Sequence, residues 1–211
     1  MAKFILSAFA DEASASLDEQ IATLKALGIS HIEPRNVDGT NVSDLTEEAA
    51  KAVRKKLDDA GIGLSSIGSP IGKVDIAGDL DKHIEKLKNT INVANILGAK
   101  YIRMFSFFVP VGHEDEYETQ VFAGMERMVE TARGTGVKLV HENEKAIFGD
   151  STDRCVRLME RFAPELGFAF DPSNFVQCEQ DTKAGFPRLK KYLTYMHMKV
   201  QRRARAPRHG L

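Results

Sequence analysis

The chain has 211 residues, of which 43% are hydrophobic, and a formal net charge of −1. Its length suits one domain with a sizeable core, its two cysteines exclude a disulfide framework, and no apolar run approaches the roughly 20 residues that span a bilayer. These features predict a single-domain cytoplasmic protein without a membrane partner, because cysteine-poor chains are typical of reducing compartments.

Short apolar runs alternate with longer amphipathic stretches along the chain. In one such stretch Leu17, Ile21 and Leu24 share a helical face, and Gly28 can end the helix. Strands are predicted at residues 4–9, 29–33, 63–67, 100–105, 137–141, 166–170 and 193–198. Helices are predicted at residues 16–27, 46–61, 80–97, 116–133, 152–162 and 184–191. This alternation predicts an α/β protein with a parallel sheet and helices outside it.

The ends of the predicted strands decide between two parallel architectures. Polar and ionisable residues end almost every strand, which favours a (β/α)8 barrel of the TIM type, because an open sheet concentrates its site at one switch point. The chain supplies only seven βα units, and residues 200–211 lack apolar alternation and include Pro207, so no eighth strand is predicted. We therefore expect one incomplete barrel domain at residues 1–199. The basic tail at 200–211 is expected to be disordered or the product of a shifted reading frame.

The basic residues gather at the C-terminal end of the sequence. Residues 183–211 hold nine Lys and Arg and no Asp or Glu. A basic tail can bind nucleic acid. This one has no interleaved aromatic residues and no nucleic-acid-binding module, so a solvated end is favoured and nucleic acid is not an expected partner.

Three of the predicted strands end in a residue that can bind a metal ion. These residues are Glu142, Asp171 and His197. Because the C-terminal ends of parallel strands converge on one face, we expect the three side chains to meet there. Two carboxylates and one imidazole suit Mn²⁺, Mg²⁺, Co²⁺ or Zn²⁺. The competing interpretation is a structural ring of salt bridges at the barrel mouth.

Five short motifs stand at predicted strand ends: Ile32-Glu33-Pro34-Arg35, Gly68-Ser69-Pro70-Ile71-Gly72-Lys73, Glu142-Asn143, Phe170-Asp171-Pro172-Ser173-Asn174-Phe175 and Met196-His197-Met198-Lys199. In their order and spacing these motifs resemble the xylose isomerase-like sugar phosphate isomerase/epimerase family. The resemblance implies a (β/α)8 barrel that binds a divalent cation through Glu, Asp, His and a second Glu. Glu142, Asp171 and His197 match the first three ligands, and the fourth would lie on the eighth strand.

The same resemblance implies an activity. It is that of a metal-dependent isomerase or epimerase acting on a sugar or sugar phosphate, by proton transfer next to a carbonyl through an enediolate. Glu142 is predicted to be both ligand and catalytic base, and Glu144 is the alternative base, since period-2 alternation puts it on the same side if the strand continues. In related ketose epimerases a second metal-bound Glu completes the acid/base pair. Seven polar residues are predicted to contact the substrate: Glu33, Arg35, Ser69, Arg103, Glu144, Asn174 and Lys199. Arg35 and Arg103 fit a phosphate group or a pairing carboxylate equally well.

Two other functions stay open on the sequence alone. Seven strands leave two open sheet edges, so the chain could be a catalytically impaired fragment that binds a partner or forms a homo-oligomer. The other is a metal-dependent nuclease similar to the endonuclease IV relatives. Those sites are richer in His than the six scattered histidines of this chain suggest.

Overall fold

The computed structural model describes residues 4–199, and the predicted basic tail at 200–211 lies outside this range. The strands are β1 (Ser7–Ala8), β2 (His31–Ile32), β3 (Asn36–Val37), β4 (Thr40–Asn41), β5 (Gly63–Leu64), β6 (Tyr101–Met104), β7 (Lys138–Glu142), β8 (Gly167–Phe170) and β9 (Leu193–Met196). The α-helices are α1 (Leu17–Ala26), α2 (Glu47–Ala60), α3 (Leu80–Leu97), α4 (Glu118–Ala132), α5 (Thr152–Phe162), α6 (Pro172–Gln177) and α7 (Thr182–Leu189). None of the helices between residues 4 and 199 is long and apolar enough to cross a bilayer.

Seven of these strands run parallel in two sheets. One sheet has the order β1-β2-β5, and the other has the order β6-β7-β8-β9. A parallel bridge between Ile67 and Ile102 joins them. At least one helix connects each successive pair of parallel strands, which confirms the predicted α/β class and the TIM-barrel type of connectivity. Within residues 4–199 the barrel is not closed, because β1 and β9 each pair on one side only.

Local sequence signals explain where the helices begin and end. The Thr46 side chain accepts a hydrogen bond from the Ala49 amide at the start of α2, and Gly61 ends that helix in the left-handed conformation. Large apolar side chains on the inner helix faces pack into one core with the sheets. Burial of each such side chain stabilises the folded state by about 1.5–3 kcal/mol. The buried side chains include Leu17, Leu57, Leu87, Leu97, Met125 and Leu158.

The first strand is shorter than its sequence pattern predicts. The pattern predicts a strand over residues 4–9, but β1 covers only Ser7 and Ala8. The side chains of Phe4, Ile5 and Leu6 are exposed. Since β1 has a neighbouring strand on one side only among the described residues, these apolar side chains have little to pack against.

Two further elements have no counterpart in the periodicity of the sequence. β3 and β4 form an antiparallel hairpin around Asp38 and Gly39, both with positive φ. α6 begins directly after Asp171, whose side chain accepts a hydrogen bond from the Asn174 amide. Pro172 occupies the first turn of α6, where a missing amide proton costs nothing.

Candidate functional site

The three predicted metal ligands lie together at the C-terminal ends of adjacent strands. Glu142 is the last residue of β7, Asp171 follows β8, and His197 follows β9. Each of the three side chains offers one ligand atom, and these atoms lie within 4.8 Å of one another. Ligands on opposite sides of an octahedral ion such as Mg²⁺ are about 4.2 Å apart, since each bond is about 2.1 Å long, and the ligands of a tetrahedral ion such as Zn²⁺ are closer together. A small inward movement therefore suffices for these side chains to bind one ion.

Each of the three residues also has a buried polar atom with no hydrogen-bond partner among the described residues. The atoms are Glu142 Oε2, Asp171 Oδ2 and His197 Nδ1. Arg103 Nη1 lies 3.3 Å from Glu142 Oε2, and Lys199 Nζ lies 3.0 Å from Asp171 Oδ2, as contacts of opposite charge. Because buried polar groups normally have hydrogen bonds of good geometry, three that have only ion-pair contacts fit a divalent cation that prefers oxygen and imidazole ligands.

The Asp171 carboxylate is held in place by its neighbours. The Asn143 side chain donates to the Asp171 carbonyl at 2.9 Å and accepts from the Asp171 amide at 2.9 Å. Asp171 Oδ1 accepts the Asn174 amide at 2.8 Å. The backbone and one carboxylate oxygen are thereby fixed, and the second oxygen, which contacts Lys199, belongs to the cluster.

The His197 imidazole lies between two carboxylates. Its Nε2 is hydrogen-bonded to Glu33 Oε2 at 3.1 Å, and its Nδ1 lies 2.9 Å from Glu142 Oε1. All three side chains are buried. The rings of Phe9 and Tyr195 lie with centroids 5.0 Å and 5.3 Å from the imidazole centroid. The ring is therefore fixed by packing as well as by hydrogen bonding.

Burial and charge shift the pKa values of the three ligands in different directions. Burial alone would lower the pKa of His197, but its hydrogen bonds and charge interactions with Glu142 and Glu33 raise it to about 9. Burial alone would raise the pKa of Glu142, but His197, Arg103 and Lys199 lower it to about 2. The pKa of Asp171 is raised, mainly by burial, against the opposing effects of Asn174 and Lys199. Without a cation, Glu142 and His197 thus form an ion pair at neutral pH.

Four of the residues predicted to contact substrate adjoin this cluster. Glu33 contacts His197, and Arg103 contacts Glu142. The Asn174 side chain donates to Glu142 Oε1 at 3.3 Å, and Lys199 Nζ donates to Asn174 Oδ1 at 2.6 Å. Their part in substrate binding stays a prediction.

The other three predicted substrate residues have different partners. Arg35 pairs with Asp11 at 2.9 Å, which is the carboxylate alternative left open by the sequence. Ser69 is fully buried and donates to the Arg103 carbonyl at 2.5 Å. Glu144 pairs with Lys73 at 3.0 Å. None of these three makes a hydrogen bond to the ligand cluster within the part of the chain that the structure describes.

Sequence reasoning does not single out Asn143 or Tyr195 as part of the site. Asn143 directly follows Glu142 in the sequence, and a side-chain amide next to a candidate metal ligand was the signal that could have identified it. Tyr195 lies two residues before His197, so period-2 alternation places both on one face of β9. The Tyr195 hydroxyl donates to Ser65 Oγ at 2.7 Å, and Ser65 Oγ is 2.6 Å from Ser7 Oγ. This chain of hydroxyl groups connects β9 to β1 and to the segment after β5.

Two sequence comparisons bear on the family. The family model described as "Xylose isomerase-like TIM barrel" matches residues 21–210. This match covers most of the chain, including β2 to β9 and all three candidate ligands. None of the curated proteins matches the sequence.

Solved structures of similar fold accompany this match. A probable 3-DHS dehydratase from Bacillus anthracis has a TM-score of 0.73 and 17% identity, over 93% of this chain and 72% of that one. An L-ribulose 3-epimerase has a TM-score of 0.71 and 21% identity, over 93% of this chain and 69% of that one. A xylose isomerase-like TIM barrel protein from Mycobacterium smegmatis, solved in complex with magnesium, has a TM-score of 0.69 and 17% identity, over 86% and 65%. At these identities the likeness shows the fold alone.

Proposed function

This chain belongs to the xylose isomerase-like TIM barrel family, and from that premise we propose that it is a divalent-metal-dependent isomerase or epimerase of a sugar or sugar phosphate. The observation that carries the proposal is the cluster of Glu142, Asp171 and His197, with ligand atoms within 4.8 Å of one another. Two observations on similar folds support it: one solved structure is an L-ribulose 3-epimerase, and another was solved with magnesium.

Glu142, Asp171 and His197 are the residues that would hold the cation. The donor set favours Mn²⁺, Mg²⁺, Co²⁺ or Zn²⁺ over softer ions, because it contains no sulfur. The bound cation supplies polarisation of a carbonyl or hydroxyl group of the substrate.

Glu142 is the group that accepts a proton in this proposal. A base can accept a proton from the carbon beside a carbonyl only in its deprotonated form. The pKa of Glu142 is lowered to about 2, so its carboxylate is ionised at neutral pH. The Asn174 side chain donates to the same carboxylate and orients it.

Cationic side chains beside the cluster are suited to the anionic end of a sugar phosphate. Arg103 and Lys199 lie within 3.3 Å of Glu142 and Asp171 respectively. The Lys199 side chain is 44% exposed, so its ammonium group can reach a ligand at the mouth of the barrel. The Arg103 guanidinium is largely buried, and its Nη2 donates to the carbonyls of Gly68 and Ser69, so it contributes positive charge to the site and leaves direct contact with the anion to Lys199.

The proposal is tested by metal binding and by proton exchange. Titration of the wild-type protein with MnCl₂ in a calorimeter is expected to show binding at one site. Incubation of ketoses and their phosphates in D₂O is expected to place deuterium on the carbon beside the carbonyl. Glu142→Gln should abolish this exchange, whereas Glu165→Gln, which alters an exposed pair with Arg133, should not. Absence of both binding and exchange in the wild-type protein would refute the proposal.

A second candidate function is assembly through a sheet edge. Phe4, Ile5 and Leu6 are 79%, 69% and 73% exposed and directly precede β1, whose other side has no strand partner within residues 4–199. Consecutive exposed apolar residues at an open edge invite pairing with another chain. Light scattering after size-exclusion chromatography distinguishes this function, because a stable monomer at high concentration argues against it.

A further inference from the structure

The two nitrogen atoms of His197 have different surroundings. Nε2 is hydrogen-bonded to Glu33 Oε2 at 3.1 Å. Nδ1 faces the ligand cluster, where its partner is the candidate ligand Glu142, whose Oε1 lies 2.9 Å away. Only one of the two nitrogens is therefore available to a cation bound with Glu142 and Asp171, and it is Nδ1.

Glu33 itself lies outside the ligand cluster. The group of side chains that can share one cation among the described residues contains Glu142, Asp171 and His197 but not Glu33. Glu33 contacts the opposite nitrogen of the ring, so the imidazole separates its carboxylate from the place of the cation. The position of Glu33 therefore does not support a role as the fourth metal ligand.

The position of Glu33 is well defined by the fold. Glu33 follows β2, and its amide donates to the Ala8 carbonyl at 3.0 Å. The side chain is 2% exposed, and its Oε1 has no hydrogen-bond partner within the described part of the chain. A carboxylate buried to this degree needs a partner, because an unpaired buried charge is costly. The hydrogen bond with His197 provides one, and the Tyr195 hydroxyl also interacts with this carboxylate.

We propose that Glu33 is a positioning residue that keeps the proton of His197 on Nε2 and turns Nδ1 toward the cation. A carboxylate that accepts the second N–H of a metal-binding imidazole fixes the tautomer and the ring orientation and makes the ligand nitrogen more basic. This assignment rests on the proposed metal-dependent function. It replaces contact with a substrate hydroxyl as the role of Glu33.

The first test compares cation affinities by calorimetry with ZnCl₂. Glu33→Gln keeps the size of the side chain but removes its charge, and it should weaken binding by about 10–100-fold. The matched control is Glu12→Gln, which removes the same charge near the barrel mouth from a residue that pairs with Arg35 and does not contact His197. The control should bind within about threefold of the wild-type protein, given the modest effect of exposed charges in salt.

The second test locates the cation on the ring and does not depend on any variant folding. Long-range ¹H–¹⁵N spectra of the Zn²⁺-loaded wild-type protein should show Nδ1 of His197 bound to zinc and Nε2 protonated. Zinc on Nε2, or equal affinities of the wild-type protein and Glu33→Gln, would overturn the role of Glu33 while leaving the metal-dependent function standing. A wild-type protein that binds no zinc would overturn the proposed function as well.

Discussion

The two parallel sheets differ in length and in what they contribute to the site. The sheet β6-β7-β8-β9, here called the ligand sheet, has strands of four or five residues, and its last three strands lead to Glu142, Asp171 and His197. The sheet β1-β2-β5, here called the support sheet, has strands of two residues and leads to Glu33. All three candidate ligands thus come from one sheet, and the other provides contacts to the ring of His197.

This difference indicates how the site is held. Long hydrogen-bonded ladders fix the relative positions of neighbouring strand ends, so adjacent strands can present ligands to one ion. The support sheet reaches the site across the barrel, through the Glu33 contact to His197 and the Ser65 contact to Tyr195. Precise sites depend on such outer contacts as well as on the ligands themselves. Substitutions of the ligands and substitutions of these outer contacts should therefore differ in the size of their effects.

The largest effect is expected from a ligand of the ligand sheet. Asp171→Asn keeps an oxygen that can accept the Asn174 amide but removes the charge. Cation affinity should fall by more than about 100-fold, because even substitutions beyond the ligands themselves cost 10–100-fold. Calorimetric titration with MnCl₂ measures this. Asp153→Asn, in an exposed pair with Arg188, is the control and should bind normally; unchanged affinity of Asp171→Asn would remove Asp171 from the site.

A large effect on stability is expected from Asn143, which joins β7 to the Asp171 backbone. Asn143→Ala leaves the buried amide and carbonyl of Asp171 without partners, so the free energy of unfolding should fall by about 2–4 kcal/mol. Urea unfolding measures this loss. Asn89→Ala is the matched control, because the Asn89 side chain on the outer helix α3 also donates to backbone carbonyls, two of them. Only Asn143→Ala should also weaken cation binding; equal binding by both variants would contradict a role for Asn143 in the site.

A smaller effect is expected at a contact between the two sheets, the hydrogen bond from Tyr195 on β9 to Ser65 after β5. Tyr195→Phe removes the hydrogen bond to Ser65 but keeps the ring beside His197. The free energy of unfolding should fall by about 1 kcal/mol, with cation affinity within about threefold of wild type. Urea unfolding and calorimetry on the same preparation check both. A loss of affinity comparable to that of Asp171→Asn would contradict the expectation that this hydrogen bond stabilises the fold without holding the cation.

The smallest effect concerns the loop at the junction of the sheets. His83 Nε2 accepts the Gly72 amide at 2.7 Å, which requires a neutral ring. Burial, with a contribution from the charge of Lys86, lowers the pKa of His83. The unfolded chain therefore binds the proton more readily, so this residue's contribution to stability is present above the ordinary His pKa of about 6.5 and declines as pH falls below it. His83→Gln should lessen that decline in urea unfolding between pH 7 and pH 5; an identical pH dependence in both proteins would contradict it.

The ligand sheet is also the part that the sequence predicts best. Apolar runs followed by Glu142, Asp171 and His197 indicate both the strands and their shared end. The strands of the support sheet were predicted at residues 4–9, 29–33 and 63–67, but each is only two residues long in the structure. The β3–β4 hairpin did carry a signal, the Asp38-Gly39 pair typical of tight hairpin turns.

The contacts of His197 could not be predicted from the sequence. Glu33 and His197 are 164 positions apart, and nothing in local spacing indicates which polar side chains meet across a barrel. The prediction that Glu33 contacts the substrate therefore rested only on its position at a strand end. The partner of Arg103 was undecided for the same reason, since a guanidinium group suits Glu142 as well as a phosphate.

The most direct measurement of the central claim is an anomalous difference map from crystals of the wild-type protein grown with ZnCl₂. The predicted result is one strong peak about 2.0–2.2 Å from a carboxylate oxygen of Glu142, a carboxylate oxygen of Asp171 and Nδ1 of His197. A map from zinc-loaded crystals with no peak between these three side chains would contradict the account.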